Sequence, residues 1–121
     1  MTLARQAFGK SGEDRAVVEL ERRGYAILAR RYRTAHGEID IIAKDGETTV
    51  FVEVKARATQ EFGTAAEAVT PRKQRQMIRM AMEYLTFNRL TNIPCRFDVV
   101  TLDGVGEDAV LAVYPAAFEV A

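Results

Sequence analysis

Apolar and polar positions along the chain change period several times, and each change marks an element. Ala16, Val17 and Leu20 recur at helical spacing behind Ser11, which has Asp14 three residues on as a short variant of a capping box. Gly24 supplies the stop. Leu3, Ala4, Ala7 and Phe8 carry the apolar character upstream, interrupted by Gly9 and Gly12, so the pattern predicts a helix without fixing where it begins. Tyr25 to Leu28 reads as a short strand and leads into the basic run Arg30-Arg31-Tyr32-Arg33. Two β-rich runs follow, Gly37 to Ala43 and Thr48 to Lys55, around Asp45-Gly46, a strong hairpin signal. With Asp45 and Gly46 as a two-residue loop, Lys44 faces Glu47. One face then receives Ile39, Ile41, Ala43, Val50, Val52 and Val54, and the other Glu38, Asp40, Ile42, Thr49, Phe51, Glu53 and Lys55.

Beyond Lys55 the chain is loop-like, with Phe62-Gly63 as a break and a helical stretch expected from Ala65 to Val69. Thr70-Pro71 is a clear helix start, because Thr is a good N-cap and Pro is favoured at the first helical position. Met77, Ile78, Ala81 and Leu85 mark its apolar stripe, while Arg72, Lys73, Arg75 and Arg79 lie at its start and on its outer faces. Arg96 to Leu102 reads as a buried strand and Ala109 to Tyr114 as the last one. The order is helix, three strands, helix, two strands, an α/β pattern. Met77, Met80 and Met82 are expected to pack, and the lone His36 to serve structure.

At 121 residues and 13.5 kDa the chain has room for one domain. Its 48% hydrophobic and 28% charged content suits a soluble protein, and no apolar run approaches the roughly 20 residues of a membrane span. The start, Met1 to Gln6, lacks the apolar segment of a secretory signal, and Cys95 is a single cysteine, so a reducing cytoplasm is expected. Net charge is zero but unevenly spread. Residues 1–36 hold eight Lys/Arg against four Asp/Glu, and 55–90 hold seven against three; 37–54 and 91–121 each hold one against five. Two basic segments thus flank an acidic one.

That acidic segment carries the candidate chemistry. The predicted register sets Glu38 opposite Glu53, with Asp40 diagonal to it, where like charges repel. Crowded carboxylates beside Phe51 and Ile42 ask for a cation, and Lys55 supplies one positive charge. Asp40 and Glu53 offer the oxygen ligands that magnesium or manganese prefers, and Lys55 can stabilise charge developing on a phosphate.

Asp40, followed by Glu53-Val54-Lys55, resembles the PD-(D/E)xK nuclease motif. With Gly12-Glu13, Gly37 to Ala43, Phe51 to Arg57, Lys73 and Arg96 to Val100, the pattern resembles the YraN-like family of small bacterial proteins over nearly the whole chain. That family is similar in fold to archaeal Holliday junction resolvases. The resemblance implies a restriction-endonuclease-like core, a mixed β-sheet flanked by helices. It also implies a magnesium-dependent nuclease site in a protein that binds nucleic acid, DNA ahead of RNA, with a homodimer suggested by resolvase symmetry. Asp40 and Glu53 then correspond to metal ligands, Lys55 to the catalytic lysine, and Glu13 to a helix acid completing the site. Ile39 stands where the motif name has Pro. Lys73, Arg72, Arg75, Arg31 and Arg33 are the candidates for phosphate contact, Asp98 is as consistent with a structural ion pair as with a site role, and the competing reading is a nucleic-acid-binding module of the same fold that does not cut efficiently.

Overall fold

The computed structural model describes residues 3–58 and 65–120. Helix α1 (Leu3–Arg22) runs unbroken past Gly9, Ser11 and Gly12, so Ser11 lies inside the helix instead of capping it. Glycine costs a helix interior only about 1 kcal/mol relative to alanine. A helix anchored by packing absorbs that: Ala16 and Leu20 are buried against Ile41, Ala43, Val50, Val52 and Val100. Gly24, at φ +96°, then turns the chain into the sheet.

Strand β1 (Ala26–Thr34) continues through the basic run that follows Tyr25 to Leu28 in the sequence. It is an edge strand, and its exposed Arg30, Arg31 and Arg33 supply the charge that keeps such an edge from pairing with another chain. Strands β2 (Gly37–Asp45), β3 (Thr48–Arg57), β4 (Cys95–Asp103) and β5 (Val110–Phe118) complete a sheet in the order β1-β2-β3-β4-β5. All neighbours are antiparallel except β3 and β4, which are parallel and need the long crossover that contains the short helix α2 (Ala65–Ala68) and helix α3 (Pro71–Phe87). The predicted break at Phe62-Gly63 lies outside the described residues.

Thr70 caps α3, its hydroxyl accepting the Lys73 N–H at 3.1 Å. Met77, Met80, Ala81 and Leu85 face the sheet, against Ile42, Phe51, Phe97 and Val99. Met82 points outward and does not pack as expected. With α1 on one face and α3 on the other, the central strands are buried on both sides. No described helix is long and apolar enough to cross a membrane.

The β2–β3 hairpin corrects the predicted register by two residues. Asp45 pairs with Thr48, Ala43 with Val50 and Ile41 with Val52, which leaves Gly46-Glu47 as the loop. Gly46 takes the left-handed conformation there at φ +61°, and Asp45 is drawn into the last rung, where it accepts a hydrogen bond from Arg96 Nη1 at 3.1 Å. An even shift keeps most faces as predicted, since strand side chains alternate with period two. Ile39 is the exception: it packs with Ile42 and Phe51 under α3, not with Ile41 under α1. The alternation therefore breaks once, next to Asp40.

Candidate active site

Strands β2 and β3 are paired from the hairpin as far as Ile41 and Val52, and the rungs stop there. Residues 37–39 remain paired with β1 alone. Asp40 fills the gap with its side chain, its Oδ2 accepting the Val54 N–H at 2.8 Å in place of a missing backbone rung. The corrected register brings Asp40, not Glu38, level with Glu53, and the two carboxyl groups meet in a hydrogen-bonding contact. Burial, then the hydrogen bond to Asp40 and the Asp40 charge, push the Glu53 carboxyl up to about 8 from its ordinary 4.5, while Lys73 and Lys55 pull the other way. Two half-buried carboxylates thus share a place where only one is comfortably ionised.

The cations around this pair come from two elements. Lys55 is exposed on β3, two residues beyond Glu53. Lys73 reaches over from the first turn of α3, and its Nζ donates to the Glu38 carbonyl at 3.0 Å. Arg72 and Arg75 are exposed on the same helix and carry no ion pair among the described residues.

Glu13 is placed differently. It is buried on α1, and its carboxylate accepts hydrogen bonds from Arg30 Nε at 3.0 Å and Arg31 Nε at 3.2 Å. Arg31 holds this position from a left-handed backbone conformation, φ +52°. Among the described residues no group of three metal-ligating side chains forms, and a third acid for an ion would have to leave its arginines. Arg33 is engaged with Glu38 at 3.2 Å. Asp98 belongs to a separate buried network with Arg96 and Tyr25, a structural ion pair.

Two contributors have no counterpart in the sequence reading. One is the Val54 N–H, a backbone group that no residue type reveals. The other is Gln76, whose Nε2 donates to the His36 carbonyl at 2.6 Å. Its spacing of three from Lys73 on one helix was the available signal.

Asp40 and Glu53 are the residues of this site that could hold a hard cation. Both donors are carboxylate oxygens, and their mutual repulsion is what a divalent ion would relieve; magnesium, which keeps several waters, needs few protein ligands.

The helix-flanked mixed sheet is a restriction-endonuclease-like, resolvase-type fold. It superposes on the structure of Hjc, a Holliday junction resolvase from Archaeoglobus fulgidus, with a TM-score of 0.55 over 88% of this chain and 76% of that one, at 21% identity. Residues 12–102 match the model of Uncharacterised protein family UPF0102, and the chain belongs to that family. Its relatives include UPF0102 proteins of Geobacter metallireducens, 43% identical over all of this chain and 99% of that one, and of Prosthecochloris aestuarii, 47% identical over 88% and 84%.

Proposed function

We propose that the protein is a metal-dependent nuclease that hydrolyses phosphodiester bonds in branched or otherwise structured DNA. The observation that carries this reading is the contact between the Asp40 and Glu53 carboxyl groups where β2 leaves β3, with Lys55 and Lys73 beside it. A magnesium or manganese ion held there would polarise a phosphate and lower the pKa of a bound water. Asp40 and Glu53 would hold the ion, with one Asp40 oxygen fixed by the Val54 N–H. Lys55 neutralises charge developing on the scissile phosphate from the open side. Arg72 and Arg75, on the exposed face of α3, bind the phosphate backbone, and Arg31 and Arg33 extend that contact along β1 once exchanged from their acidic partners. The likeness to a Holliday junction resolvase supports a branched substrate, and a two-fold homodimer is the assembly that would match the symmetry of such a substrate.

The test is cleavage of a labelled panel (four-way junction, flap, single strand, duplex and RNA equivalents) with magnesium or manganese. Wild type is expected to cut the junction or flap and Asp40→Ala to lose at least about a hundredfold in rate, as removal of a transition-state electrostatic group does. Tight, salt-sensitive binding without cutting would replace the nuclease by a binding module.

A further inference from the structure

The segment that leads into Asp40 is unusually short of support. Residues 37–39 pair with β1 alone, and β1 is itself the sheet edge; toward β3 the only hydrogen bond described is the one made by the Asp40 carboxylate. A strand held by one neighbour does not fix a side chain to the few tenths of an ångström that ligation requires. Helix α3 supplies the missing constraint through two consecutive turns. Lys73 Nζ donates to the Glu38 carbonyl at 3.0 Å, and Gln76 Nε2 donates to the His36 carbonyl at 2.6 Å. Glu83, two turns further along α3, approaches His36 Nδ1 at 3.0 Å.

Gly37 shows how closely this contact is fitted. It sits at φ +140°, where side chains are rarely tolerated, and a Cβ built there would overlap the Gln76 amide. The amide occupies the space that a side chain would need. The turn of the β1–β2 hairpin and the first half of α3 are therefore interlocked, three residues before Asp40.

We propose that Gln76, seated over Gly37, is a positioning residue that sets the Asp40 carboxylate for metal binding, so that α3 and the two strands act as one rigid frame. The proposal rests on the reading of Asp40 and Glu53 as the metal site, and deepens it. Gln76 touches neither carboxylate. It acts through the backbone of residues 36–40, and supporting partners of that kind typically contribute about 10- to 100-fold to metal affinity.

The experiment is a manganese chloride titration of the full chain, read by calorimetry, alongside amide NMR of the metal-free protein. Gln76→Met keeps the length and bulk of the side chain and removes the donor; Gln76→Ala is the second variant, and Leu85→Ala, a core residue of the same helix, controls for lost stability. The expected result is manganese binding about 10- to 100-fold weaker in both Gln76 variants, a shifted and less protected Val54 amide, and neither change in Leu85→Ala. Affinity within twofold of wild type, with the Val54 amide unmoved, overturns the proposal. So does equal weakening in Leu85→Ala, which would make the effect one of stability. Should wild type fail to bind manganese, or Asp40→Ala bind it equally well, the nuclease reading falls, and the Val54 amide alone decides whether Gln76 positions Asp40.

Discussion

Two acidic centres lie on the same sheet and resolve their charge in opposite ways. Asp98, fully buried on β4, accepts from Arg96 Nε at 2.8 Å, Arg96 Nη2 at 3.0 Å, the Tyr25 hydroxyl at 3.0 Å and the Ala116 N–H at 3.0 Å. Every oxygen lone pair that matters has a donor, and the Asp98 carboxylate holds the Arg96 proton more tightly than usual. Burial and the Asp98 charge push the Tyr25 hydroxyl up to about 12, which keeps it a donor. Glu53 is less buried, yet its hydrogen-bond partner is another carboxylate. The Asp98 network is complete within the protein, whereas the Asp40–Glu53 pair sets carboxylate against carboxylate, with Lys73 and Lys55 only partly offsetting the charge. The difference separates a structural acid from a candidate binding site better than burial does, because both are drawn from water and only one is compensated from within.

The comparison can be broken from the Asp98 side first. Arg96→Ala leaves a fully buried carboxylate without its guanidinium and is expected to cost about 3–5 kcal/mol in urea unfolding. A loss much below that would mean the network is not the closed unit described.

The next largest effect is expected at Glu53, with a definite sign in pH. Its folded-state pKa lies above the ordinary value of 4.5, near 8. The stabilisation tied to its proton is therefore complete below pH about 4.5 and is lost as pH rises through about 8. In metal-free protein Glu53→Gln should remove that loss, so that the variant gains on wild type between pH 5 and 9 by on the order of 2 kcal/mol. Parallel stability curves for the two proteins would show that Glu53 titrates as an ordinary carboxylate.

The smallest effect belongs to Glu19. It accepts from Arg22 and Arg23 at 2.7 Å each and its carboxyl is lowered to about 2, chiefly by the Arg22 hydrogen bond, but the group is partly exposed at the surface of α1 and its arginine partners are exposed. Solvent and salt screen such pairs, so Glu19→Ala should leave the unfolding midpoint unchanged within error at 0.15 M salt, roughly the ionic strength at which charges decouple beyond about 8 Å. A clear loss would put surface charge on a par with the buried networks.

The element order, the two apolar stripes and the Asp40, Glu53 and Lys55 cluster were legible because each rests on periodicity, which a chain displays directly. Thr70-Pro71 located α3 for the same reason, through local chemistry that the helix start requires. The hairpin register was read two residues off because Asp45-Gly46 satisfies a turn rule, while the Arg96 hydrogen bond that draws Asp45 into the ladder comes from a residue far along the chain. The break in alternation beside Asp40 was hidden for a related reason: it depends on where β3 stops pairing, and no residue near 40 encodes that. Glu13 illustrates the limit most clearly. Its helix follows from the pattern, but its burial and its partners Arg30 and Arg31 are set by how α1 lies on the edge strand.

The central proposal is that Asp40 and Glu53 bind a divalent cation, and the most direct test is calorimetric titration of manganese into wild type and Glu53→Gln at pH 6 and pH 8. Wild type is expected to bind more tightly at pH 8 than at pH 6, by up to about a hundredfold, because one proton must leave Glu53 as the ion enters. Glu53→Gln should bind weakly at both. Equal affinities across the two pH values, or undiminished binding by Glu53→Gln, would contradict the account.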